Sequence, residues 1–203
     1  MMQASSMANN VIDIRGRRPI SERRPLAPNG VIGTLLFVGT ELMLFAAFIS
    51  AHAIARTTAL TGWPPPNQPR LPAEETAINT AALLVSGVAL ILAQVTFEKK
   101  PAWSRRWFLV SLLLGAFFVA FQGMEWLALI REGLTLTSST HGGFFYIIIG
   151  THALHAVAAL IFMVLQYWQH LRGKLERNAF AAMQVFWYFV VGMWPILYWK
   201  VYF

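Results

Sequence analysis

Five runs of apolar residues, separated by short polar stretches, account for most of the chain after its first 30 residues. They fall at residues 31–54, 78–97, 107–130, 143–167 and 180–202. A run of about 20 apolar residues matches the hydrocarbon thickness of a bilayer when helical. A helix also satisfies all its own backbone groups, as a lone segment in lipid must. The pattern therefore predicts an all-α polytopic membrane protein of five transmembrane helices. A polar, basic arm over residues 1–30 precedes a single five-helix domain over 31–203, with neither internal repeat nor second domain. The arm has no apolar core of the kind a secretory signal needs, and is expected to be a solvated cytoplasmic segment. The first connection, "TGWPPPNQPRLPAEE", holds five prolines and is expected to be stiff and extended.

Composition supports this class. The 203 residues are 57% hydrophobic and 12% charged, with a net charge of +7. The placement of that charge separates membrane topology from nucleic-acid binding. Twelve of the sixteen Lys and Arg residues lie in the arm and the second and fourth connections, and four in the alternate segments. Basic loops stay cytoplasmic, so the N-terminus is expected inside and the C-terminus outside. The excess is a topology signal with some attraction for anionic headgroups, and no nucleic-acid partner is expected. Trp103, Trp107, Trp126, Trp168 and Trp199 fall near span ends, where amphipathic rings form interfacial belts. The absence of cysteine excludes disulfides, thiolate catalysis, iron–sulfur clusters and copper sites built on thiolates.

Polar residues inside the spans are the candidate chemistry. Glu41 stands about 15 Å from the inner start of span one, and His155 about 18 Å from the outer start of span four. Their depths match in a core about 30 Å thick, so His155 is the first candidate partner for an acid expected to be neutral or tightly paired. His152 lies one turn nearer the outside. The plain alternatives are a structural acid satisfied by one neighbour, and histidines that bond between helices without binding metal. Gln122 and Glu125 lie near the outer end of span three and are expected to meet water. His52, His141 and His170 are expected to be solvated near the surfaces. Pro195 removes one backbone hydrogen bond inside span five and is expected to kink it.

A bis-histidine haem needs inward histidines at matched depth on different helices, but His152 and His155 share one helix. A bundle di-iron site needs several Glu and Glu-x-x-His motifs, and Glu41 and Glu125 lie at different depths without such a motif. These residues argue against a catalytic metal site and for a subunit role.

Five segments in order carry a family resemblance: "GTELMLFAAF", "WPPPNQPRLP", "NTAALLVSG", "FQGMEW" and "GTHALH". Together they resemble subunit III of the haem-copper oxidases, from residue 30 to the end, in its five-helix bacterial form. The resemblance implies a non-catalytic subunit of a cytochrome c oxidase in aerobic electron transport. It implies no haem or copper in this chain, since both reside in partner subunits. It also implies direct packing on subunit I, subunit II in the same complex, and location in the bacterial inner membrane. The implied roles are stabilising the catalytic subunit, supporting proton uptake and holding phospholipid in a cleft. Glu41 takes the position of the family's buried acid and His155 that of its polar partner. His152, Trp63 and Glu125 fall on motif positions.

Span five departs from the family pattern: Tyr188 stands where His is usual and Val191 where Asp is usual. The departure leaves open an accessory subunit of a nitric oxide reductase. A free-standing membrane enzyme or transporter using Glu41 and the span-four histidines is a third reading. Co-purification with a haem-copper subunit separates the third reading from the first two. For topology, reporter fusions at residue 65 and at the C-terminus should both read outside. A cytoplasmic signal from either would break the scheme.

Overall fold

The computed structural model describes residues 29–60, 62–66 and 68–203. It contains five long helices: α1 (Asn29–Thr57), α2 (Ala73–Thr96), α3 (Pro101–Arg131), α4 (Thr140–Leu171) and α5 (Arg177–Tyr202). All five are long and apolar enough to cross a membrane. The expected basic arm lies outside the described residues except for Asn29 and Gly30, which open α1. The helices run past the apolar segments by up to six residues. Helical hydrogen bonding continues into the interfacial polar sequence, as at Ser104, Arg105 and Arg106. The described residues of the proline-rich connection are non-helical as far as Pro72, and its last three residues open α2.

Local chemistry sets the helix ends. Ser139 caps α4, its hydroxyl accepting from the Gly142 N–H at 3.0 Å. Pro101 opens α3, where its missing N–H costs nothing. Gly133 and Gly173 end α3 and α4 with positive φ of 93° and 68°. The Leu134 N–H donates to the Leu129 carbonyl and the Gly133 N–H to that of Ile130, the paired bonds of a Schellman end. Lys174 to Gln169 and Gly173 to His170 repeat the arrangement.

Packing centres on α5. It lies against α1, α2 and α4, while α2 and α3 form a tight antiparallel hairpin and α3 also meets α4. Trp187 and Trp194 are fully buried on one face of α5. Their indole N–H groups donate to Ser86 Oγ at 2.9 Å and Thr80 Oγ1 at 2.8 Å, both on α2. Two glycines admit this close approach. A Cβ on Gly115 would lie 2.6 Å from the Trp187 ring, and one on Gly87 would lie 3.0 Å from Val191. Val191 therefore fills a notch over α2. The hairpin is tied by Ser104, whose hydroxyl donates to the Ala93 carbonyl at 2.8 Å.

Among the helices, α1 approaches only α4 and α5, and most of its surface is exposed. The belt tryptophans Trp103, Trp168 and Trp199 are half-exposed at helix ends. The Arg172 guanidinium lies 3.7 Å over the Trp168 ring. α5 runs unbroken through Pro195.

Three expectations are corrected. His52, His141 and His170 are buried, not solvated. The α1–α2 connection folds over the bundle and sets Trp63 between His52 and His141, at ring separations of 5.3 and 5.1 Å. Phe97, at the end of the α2–α3 hairpin, stacks on His170 at 5.3 Å. Each loop thus covers a histidine that its position near a span end would leave wet. Replacing Gly115 with Ala should force Trp187 out of its site. A cost of about 1–3 kcal/mol is expected for this overpacking, read as a lower thermal midpoint in detergent. An unchanged midpoint would show that the contact is slack.

Candidate functional site

The acid of α1 meets the imidazole of α4. Glu41 Oε2 lies 3.1 Å from His155 Nε2, with side-chain exposures of 16% and 12%. His155 Nδ1 lies 2.7 Å from the Thr151 carbonyl oxygen, one turn earlier on α4. A carbonyl oxygen only accepts, so Nδ1 carries a proton and donates it. The facing atoms Nε2 and Oε2 then attract only if a further proton sits on one of them. The pair is either carboxylic acid with imidazole or carboxylate with imidazolium. Oε2 has no partner with good hydrogen-bond direction, so the contact is chiefly electrostatic. The rings of Phe37, Phe45, Phe186 and Phe189 surround His155 at 5.8–6.3 Å. That apolar cage lowers the local dielectric and strengthens the attraction.

His152 does not join this pair. It is 1% exposed, lies 5.1 Å from the Trp194 ring, and has no partner at either nitrogen. It borders a cavity of about 200 Å³ between α3, α4 and α5, together with Gln122, Trp126 and Trp194.

Glu125 belongs to a separate network at the end of the bundle where the C-terminus lies. The Gln122 side-chain amide donates to Glu125 Oε2 at 2.7 Å and to the Tyr202 hydroxyl at 3.2 Å. The Thr76 hydroxyl stands 3.1 Å from the same carboxylate oxygen and 2.7 Å from the Pro72 carbonyl, its one proton serving either. Asn79 donates to Gln122 Oε1 at 3.4 Å and to the Phe118 carbonyl at 3.2 Å. Gln122 is 4% exposed, so the expectation that it meets water is corrected. Residues of α2 and α5 supply the partners that the position of α3 alone does not reveal. Thr76 and Asn79, the latter opening the "NTAALLVSG" stretch, are spaced to share a face of α2 and were the available signal. Trp63 is half-buried between His52 and His141, apart from both other groups.

Among the described residues, no group of three or more His, Cys, Asp or Glu is placed to hold a metal ion. The arrangement comprises one caged acid–imidazole pair, one partnered carboxylate network and two histidine–indole groups, His152 with Trp194 and Trp63 between His52 and His141.

A family model described as Cytochrome c oxidase subunit III matches residues 25–203. The chain belongs to the cytochrome c oxidase subunit III family. Similar curated proteins include the "Probable cytochrome c oxidase subunit 3" of Nocardia farcinica, 36% identical, covering 87% of this chain and 89% of that protein. That of Mycobacterium leprae is 32% identical with the same coverage. The "Cytochrome c oxidase subunit 3" of Petromyzon marinus is 31% identical over 84% of this chain and 67% of the relative. The chain is accordingly a multi-pass membrane protein and subunit III of a terminal oxidase, within a complex of oxidase subunits. In this subunit III Val191 packs on Gly87, while the Tyr188 hydroxyl is buried without a partner.

A double-mutant cycle on Glu41→Ala and His155→Ala should give a coupling of about 1 kcal/mol, the scale of polar contacts between membrane helices. Additive effects on the thermal midpoint would dissolve the pair as a unit.

Proposed function

We propose that this subunit III supports the oxidase without chemistry of its own, by stabilising the catalytic subunit, aiding its proton uptake and holding phospholipid. The single observation behind this reading is the Glu41–His155 contact, which joins the least embedded helix to the rest of the bundle. In this reading Glu41 is an anchor. It fixes α1 on α4 and so shapes the surface that α1 offers to lipid and to neighbouring subunits. Haem and copper reside in partner subunits, subunit I being the direct neighbour and subunit II part of the same assembly. The complex lies in a bacterial inner membrane with this chain's N-terminus in the cytoplasm. The names of the similar proteins favour an oxidase over a nitric oxide reductase.

Glu41 is not a relay for pumped protons in this account. Between Glu41 and the last turn of α1, where Arg56 and Thr57 lie, the polar side chains are Ser50 and His52, and His52 is eleven residues on, roughly 16 Å along the axis. A proton wire needs closer steps.

Glu41→Gln keeps the size and polarity of the side chain beside His155 and removes ionisation. The oxidase complex carrying it should show near-normal initial oxygen reduction and proton pumping. Glu41→Ala removes the contact and should shorten the working lifetime of the complex during sustained turnover. Immediate loss of pumping in the Gln variant, with assembly intact, would make ionisation of Glu41 essential and overturn the anchor role.

A further inference from the structure

At the end of the bundle where the α1–α2 connection lies, a pocket of about 280 Å³ opens between that connection, the start of α4 and the end of α5. Arg56 from the last turn of α1, Arg70 from the connection and His141 from α4 contribute its basic groups. No Asp or Glu side chain lines it. Trp63, Pro64 and Tyr202 supply much of its remaining wall.

The basic groups lack partners within the chain. Arg56 and Arg70 are exposed and neither forms an ion pair among the described residues. Arg70 also borders a neighbouring pocket that contains Glu75, Glu125 and Glu132, yet none of these carboxylates is within ion-pair distance of it. His141 is only 3% exposed, and neither of its ring nitrogens has a hydrogen-bond partner. Buried polar groups are ordinarily satisfied, so an orphaned imidazole lining a pocket calls for a partner from outside the chain. Two guanidinium groups beside an imidazole select an anion with several acceptor oxygens, which is phosphate chemistry.

We propose that this pocket binds the phosphodiester headgroup of an anionic phospholipid, with Arg56 and Arg70 on the phosphate oxygens and His141 at its base. The phosphate could in principle be free or carried by a lipid. The pocket lies at the end of membrane-spanning helices, and its aromatic and proline walls suit the glycerol and the first acyl carbons as well as the phosphate. Its volume suits a headgroup and leaves the chains outside, along the bundle. The site deepens the lipid-holding part of the function proposed above and is distinct from the Glu41–His155 pair. Its loss would leave the anchor role of Glu41 intact.

The test uses the purified full chain, delipidated in a neutral detergent. It is titrated calorimetrically with short-chain phosphatidylglycerol, short-chain phosphatidylcholine and inorganic phosphate. Phosphatidylglycerol should bind at one site and more tightly than the other two. The exposed-residue double variant Arg56→Gln/Arg70→Gln should weaken that binding about tenfold or more, with the thermal midpoint of the lipid-free protein unchanged. His141→Gln, which retains a donor, should bind better than His141→Phe. Equal binding of inorganic phosphate would assign the site to a free anion and overturn the lipid. Unchanged phosphatidylglycerol affinity in the Arg double variant would overturn the site itself.

Discussion

Apolar side chains gain little by leaving lipid for one another, so helices within a bilayer are held by close packing and polar contacts between them. In this chain that constraint falls on α5. Trp187 and Trp194 reach across to Ser86 and Thr80, and Gly87 and Gly115 let the neighbouring helices come near enough. The rings are large enough to bury much surface, and their single N–H groups each need an acceptor. Serine and threonine on α2 satisfy that need without adding bulk. With α2 fixed to α5, the α2–α3 hairpin follows, and α4 closes the group through its contacts with α3 and α5.

The polar interior is divided accordingly. Glu125 accepts from Thr76 on α2 and from Gln122 on its own helix, and the Gln122 amide also donates to Tyr202 on α5, so that carboxylate is held within a network and acts as part of the scaffold. Glu41 has one imidazole beside it and aromatic rings around it, on a helix with only two helical neighbours. An acid held by one contact at the edge of a bundle is adjustable in a way that a fully bonded one is not. That difference is why the edge position, and not the network, is assigned the role of presenting α1 to its surroundings.

Much of the fold was legible because lipid leaves a chain few options. Five apolar runs of spanning length are five helices, and matched depth named His155 as the first candidate partner of Glu41, a contact that the bundle makes. What remained hidden were the lateral relations. Depth along an axis says nothing about which helices touch, so the α2 and α5 partners of Gln122 and Glu125 did not emerge from α3. The burial of His52, His141 and His170 was missed for a related reason. Proximity to a span end implies water only when nothing folds over that end, and here Trp63 and Phe97 do so. The motif order carried the family, while the fit of Val191 over Gly87 emerged only from the packed bundle.

The pairing of the first helix with the fourth also has a consequence in time. Glu41 is synthesised more than a hundred residues before His155. At ordinary elongation rates that interval is on the order of ten seconds. Throughout it the nascent α1 carries an acid in lipid with neither its imidazole nor the phenylalanines of α5 around it. The neighbours that hold α1 in the finished bundle are the last two helices to emerge. Biogenesis must therefore tolerate a solitary first helix until the chain is nearly complete. A ribosome that stops short of α4 leaves behind a segment whose acid can find no partner within its own chain.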